Sequence, residues 1–74
     1  MEKTVLDVTG LLCPLPVLKA KKSLRMLPQG ALLQVMTTDK GAVLDFQCLC
    51  EEEGLDLVSQ EETEGTCIHL IKKV

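Results

Sequence analysis

The hydrophobic period along this 74-residue chain alternates between that of a strand and that of a helix, and the order of the alternation leaves few folds open. Thr4–Val8 (TVLDV) is short, β-branched and alternating, the pattern of a strand, and Thr9-Gly10 ends it. From Pro14 to about Leu27 the period becomes helical. Val17, Ala20, Leu24 and Leu27 fall within one arc, and Pro28 and Gly30 stop the helix. Ala31–Thr38 reads as a second strand. Asp39 then suits the N-cap of a second helix, which carries Val43, Phe46 and Cys50 on one face and ends at Gly54. Leu55–Glu61 and Thr66–Lys73 read as two further strands. The Glu64-Gly65 turn between them is short enough to make an antiparallel hairpin.

The order β-α-β-α-β-β predicts an α/β two-layer sandwich: a four-stranded sheet with two helices packed on one face, each burying its apolar stripe. A crossover helix joins the first two strands, so those two should be parallel and the sheet mixed. Residues 1–74 are expected to form a single domain. At this size only about 60% of the unfolded surface is buried, so the core is one thin interface. With one phenylalanine and neither tyrosine nor tryptophan, that core must be aliphatic. The face of the fourth strand stays open at this level. Cys67, His69 and Ile71 could face the helices with Ile68, Leu70 and Lys72 on the open side, or the reverse.

Cys13-Pro14-Leu15-Pro16 stands where the first helix begins. Proline is tolerated in a helix's first turn, where the N–H groups have no intrahelical partner. With Pro14 as the first helical residue, Cys13 is the N-cap and Pro16 occupies the third position. Both prolines then stiffen the turn that presents the sulfur without breaking a helical hydrogen bond. The N–H of Leu15 becomes the local donor to sulfur, and the positive end of the helix dipole should lower the thiol pKa. The competing reading is a buried cysteine that happens to cap a helix. Against it, serine, threonine, aspartate or asparagine would cap better, which points to the sulfur being there for its chemistry.

The N-terminus lacks the apolar run of a secretory leader, and no stretch is long and apolar enough to span a bilayer. The expected location is the cytoplasm, where four cysteines read as thiols rather than as a disulfide framework. A net charge of −3 argues against direct nucleic-acid binding. Lys19, Lys21, Lys22 and Arg25 nevertheless gather on the outer face of the first helix, interleaved with Leu15, Leu18 and Met26. Such a surface, one turn from a reactive sulfur, suits transient docking of a protein with an acidic patch.

Cys48 and Cys50 point to different sides of the second helix, Cys48 outward and Cys50 to the core. Cys67 and His69 share a strand face and are expected to be structural. No metal site or cofactor is expected. The lone histidine gives no sign of a catalytic base for Cys13, which favours a carrier over a hydrolytic cysteine enzyme.

The run LDVTGLLCPLPVLKAKKSL, with its Cys-Pro-x-Pro, resembles the TusA/SirA-like family of small sulfur carriers. TTDKGAVLDF, EEEGLDLV and the closing HLIKK extend the resemblance over essentially the whole chain. Membership would imply the same fold and a sulfurtransferase role. Cys13 would hold sulfane sulfur as a persulfide, positioned by Pro14, Leu15 and Pro16, with Leu18, Lys19, Lys22 and Arg25 at the docking surface. It would also imply a cysteine desulfurase or rhodanese as sulfur donor and a DsrE-like or other sulfur-accepting protein as recipient. The sulfur would feed tRNA thiolation, molybdenum cofactor maturation or sulfur oxidation. Lys40 replaces a proline common in the family, and Asp56 stands where a Gly-His pair is frequent; both bear on partner choice. Leu15 and the following VLKAKK look more like carriers of oxidative sulfur metabolism. The alternative is a redox-sensing or metal-binding regulatory module built on Cys13, the metal version requiring Cys67 and His69 to converge on it.

Overall fold

The computed structural model describes residues 3–74. Its elements run β1 (Lys3–Asp7), α1 (Leu15–Arg25), β2 (Leu32–Thr37), α2 (Ala42–Glu53), β3 (Asp56–Thr63) and β4 (Thr66–Lys72). They form the expected mixed sheet, in the order β1-β2-β4-β3. β1 pairs parallel with β2, and β4 pairs antiparallel with both β2 and β3.

The register settles which face of β4 is buried. Leu33 lies opposite Ile71, Val35 opposite His69 and Thr37 opposite Cys67, and all six side chains are buried. This face receives Ala20 and Leu24 of α1 and Phe46, Leu49 and Cys50 of α2. Ile68, Leu70 and Lys72 therefore lie on the open side. Phe46, the single aromatic residue, is fully buried and stacks on the His69 ring at a centroid distance of 4.5 Å.

Buried polarity concentrates at His69. Gln60 Nε2 donates to the Val43 carbonyl, which can only accept, and this fixes the orientation of the amide. The same nitrogen lies 3.0 Å from His69 Nδ1, which must then accept. The proton consequently sits on Nε2, which donates to Thr37 Oγ1 at 2.8 Å. Every buried side-chain nitrogen and oxygen among the described residues has a partner.

Three boundaries differ from the sequence reading by two residues, each for a physical reason. β3 runs on to Thr63 rather than stopping at Glu61, because pairing with β4 continues to Thr63 opposite Thr66. Glu64 and Gly65 close that hairpin with φ of +50° and +82°, the two positive values of a type I′ turn. α2 begins at Ala42 with Gly41 as its N-cap, so Asp39 lies outside the helix. The buried arc of α2 is accordingly Ala42, Phe46, Leu49 and Cys50, and Val43 falls at its edge, 36% exposed. α1 ends at Arg25 instead of Leu27. There Lys73 Nζ reaches back to the carbonyls of Leu24 and Leu27 at 2.6 and 2.7 Å, a cation on orphan acceptors at a helix C-terminus.

A bulge between Leu57 and Ser59 shifts the alternation of β3 by one residue. Because of it, Gln60 rather than Ser59 comes to lie opposite His69.

Candidate functional site

The turn between β1 and α1 is tied to the β2–α2 connection by the side chains of Thr38 and Asp39. The Asp7 carboxylate accepts from the backbone N–H and hydroxyl of Thr9 at 3.0 and 2.7 Å. This holds its own pKa below the usual carboxylate value. Gly10, at φ +82°, donates its N–H to Thr38 Oγ1 at 2.8 Å. Cys13 N–H donates to Asp39 Oδ2 at 2.9 Å, while Asp39 Oδ1 accepts from Gly41 N–H at 3.3 Å. Asp39 thus acts as a brace between the two loops and fixes the backbone of Cys13 against the head of α2.

Two expectations about Cys13 are corrected here. It is not the N-cap: Pro14 holds that position with φ −97° and ψ +12°, Leu15 opens the helix and Pro16 is its second residue. Pro16 is fully buried, so it packs against the core as well as stiffening the turn. The Leu15 N–H is taken by the Leu12 carbonyl at 3.0 Å and is not offered to sulfur.

The thiol pKa is raised, not lowered. A hydrogen bond to the Asp45 carboxylate is the largest cause, followed by partial desolvation and by the negative charges of Asp45 and Asp39. Both carboxylates disfavour the thiolate, and the resting state of Cys13 is the thiol.

Cys13 is exposed. It opens on a groove of about 180 Å³ between α1 and α2, whose walls include Val17 and Lys21 on one side and Asp45, Cys48 and Glu52 on the other. Lys21 was expected on the outer face with the other cations, yet it is half-buried in this groove. The reason is its spacing: it follows Val17 by four residues and precedes Leu24 by three, so it flanks the core stripe.

Leu15, Leu18, Lys19, Lys22 and Arg25 share the outer arc of α1 and are all exposed. Met26 is 80% exposed. Leu12, 71% exposed beside Cys13, extends this apolar and basic strip and was not singled out from the sequence. Asp39 and Asp45 were likewise missed as neighbours of the sulfur. Asp39 had been assigned to a helix cap, and nothing local marks Asp45.

The remaining candidates separate from this surface. Cys48 is exposed and Cys50 buried, as their helical spacing requires. Cys67 and His69 are buried on β4, and both His69 nitrogens are engaged by Thr37 and Gln60. Burial pushes the thiols of Cys50 and Cys67 up and holds the His69 pKa below its ordinary value. No group of three or more His, Cys, Asp or Glu among the described residues is placed to hold a metal ion. The convergence of Cys13, Cys67 and His69 that a metal module requires is not found.

Residues 4–73 match the family model described as sulfurtransferase TusA. The chain belongs to the TusA family. Among members of this family, it is 44% identical over 68 residues to the sulfur carrier protein TusA of Allochromatium vinosum, an alignment covering 92% of this chain and 90% of that one. It is 48% identical over 65 residues to a Neisseria meningitidis protein provisionally named a sulfur carrier, covering 88% of each. The crystal structure of a SirA-like protein from Desulfitobacterium hafniense superposes with a TM-score of 0.85 at 27% identity, covering 93% of this chain and 95% of that one. The TusA-family chain therefore shares the fold of a SirA-like neighbour. No helix among its described residues is long and apolar enough to cross a membrane.

Proposed function

We propose that this TusA-family chain is a cytoplasmic sulfurtransferase that carries sulfane sulfur as a persulfide on Cys13 and relays it between proteins. The observation that carries the reading is the exposed Cys13 thiol at the head of α1, with the exposed strip of Leu12, Leu15, Leu18, Lys19, Lys22 and Arg25 leading away from it. Pro14 and Pro16 stiffen the turn, and Asp39 anchors its backbone.

Loading is thiol–persulfide exchange. The Cys13 thiolate attacks the outer sulfur of a donor persulfide, the donor's S–S bond breaks, and the donor leaves as a thiolate. Delivery repeats the step with the roles reversed: an acceptor thiolate takes the outer sulfur and Cys13 leaves as a thiolate. Neither half needs a general base on this chain beyond a means of freeing the thiolate. Asp45 restrains that thiolate at rest, so a partner that engages Asp45, or brings a cation beside it, switches Cys13 on. The basic strip suits acidic partners. A cysteine desulfurase or rhodanese fits as donor and a DsrE-like protein as acceptor, with tRNA thiolation, cofactor sulfuration or sulfur oxidation consuming the product.

Intact-mass spectrometry at the first time point after exposure to polysulfide tests this. The expected result is a gain of one sulfur mass, removed by a reducing thiol and absent in Cys13→Ala. A gain that persists unchanged in Cys13→Ala overturns the assignment.

A further inference from the structure

The groove beside Cys13 holds a second thiol. Cys48 is exposed on α2 and lines the same groove of about 180 Å³. It follows Asp45 by three residues, a spacing that puts their Cβ atoms about 5–6 Å apart on one helix face. Cys13, Asp45 and Cys48 all line this groove, so Cys48 faces it one helical turn from the carboxylate that sits beside the sulfur. Cys50 and Cys67 are buried and outside this groove, which leaves Cys48 as the exposed thiol nearest the site among the described residues.

Given the proposed role of Cys13 as the persulfide carrier, we infer that Cys48 is its resolving thiol: it attacks the inner sulfur of the Cys13 persulfide, forming a Cys13–Cys48 disulfide and releasing hydrosulfide. The bonds balance. The S–S bond of the persulfide breaks, the new S–S bond joins the two cysteines, and Cys48 gives up its proton as hydrosulfide departs. The sulfane sulfur is the oxidant and is reduced to hydrosulfide, while the two cysteine sulfurs end as a disulfide.

Attack on the outer sulfur would instead expel a Cys13 thiolate beside the carboxylates of Asp45 and Asp39, which oppose that charge. Hydrosulfide carries its charge away, so the undocked carrier discharges by resolution. A docked acceptor that covers the groove and engages Asp45 favours relay. Cys48 thereby limits how long a loaded carrier persists without an acceptor.

The experiment loads wild type and Cys48→Ser with polysulfide, removes the excess, and follows three quantities: the sulfur adduct by intact mass, released hydrosulfide, and linked peptides by non-reducing digestion. An internal thiol acts at an effective concentration in the millimolar range, so at about 10 μM protein it should outrun bimolecular decay by roughly a hundredfold. The wild type is expected to lose its adduct about that much faster than Cys48→Ser, releasing hydrosulfide and accumulating a Cys13–Cys48 peptide. Equal adduct lifetimes without a linked peptide overturn the inference, and so does sulfur that settles on Cys48 as a persulfide. Diamide, which oxidises neighbouring thiols without transferring sulfur, separates the two possible failures. A linked peptide with diamide and no polysulfide adduct on Cys13 refutes the carrier reading, and resolution of a persulfide with it, while leaving the thiol pair in place. An adduct on Cys13 with no linked peptide under either reagent refutes the role of Cys48 and leaves the carrier reading standing.

Discussion

Folding stability should fall as pH drops below about 6.5, with His69 responsible. The ring is 0% exposed, stacks on Phe46, accepts from Gln60 at Nδ1 and donates to Thr37 from Nε2. A second proton on Nδ1 would set two donors against each other inside the core. Cys67, whose sulfur lies 4.0 Å from Nδ1, is a thiol with a raised pKa and supplies no countercharge. The folded-state pKa is therefore depressed below its ordinary 6.5 by burial. Between the two values the unfolded chain binds one more proton than the folded chain, so stability is full above pH 6.5 and is lost progressively as pH falls towards the folded pKa. One proton corresponds to a limiting slope of about 1.4 kcal/mol per pH unit, or up to about 2 kcal/mol by pH ~5. A chain of this length has a total stability of roughly 4–11 kcal/mol, so the loss is readily measured. The other shifted groups act elsewhere. Asp7 matters as pH falls below its ordinary 3.8, and the raised cysteines matter as pH rises past their ordinary 9.0. Urea denaturation of wild type and His69→Gln across this range is the assay. His69→Gln should be less stable at neutral pH but much flatter with pH. A parallel decline in both proteins, or no decline in wild type, would refute the assignment.

Replacing Asp45 with asparagine should lower the Cys13 pKa, because it removes the largest restraint on the thiolate and one of two nearby negative charges. Site-resolved alkylation against pH reads this directly: the rate at Cys13 near neutral pH should rise, and an unchanged profile would exonerate Asp45. Reversing the exposed charges at Lys19, Lys22 and Arg25 to glutamate should slow loading by an acidic donor by about tenfold at low ionic strength, with the difference closing as salt is added. A salt-independent effect, or none, would remove this strip from the docking surface.

What was legible in the sequence was what is local. The periods of Thr4–Val8, Ala31–Thr38 and Thr66–Lys73 marked strands, and Val17, Ala20 and Leu24 marked a helix, because each stretch must bury one face whatever its neighbours do. The last two residues of β3 were not legible. Glu62 and Thr63 are exposed and carry no apolar signal, and pairing with β4 alone makes them strand. The face of β4 was undecidable for a related reason, since Cys67, His69 and Ile71 bury no better on paper than Ile68 and Leu70. Only the register with Leu33, Val35 and Thr37 decides it. Cys13 obeys the same division. Its two prolines and its exposed turn are local, and they single out one candidate from four cysteines. Its protonation is set by Asp39 and Asp45, both more than twenty residues away, which the packing of α2 beside α1 brings to the sulfur. A helix dipole argument made on α1 alone therefore leaves out the two carboxylates that raise the thiol pKa. The Cys-Pro-x-Pro motif places Cys13, and the groove between α1 and α2 supplies the charges around it.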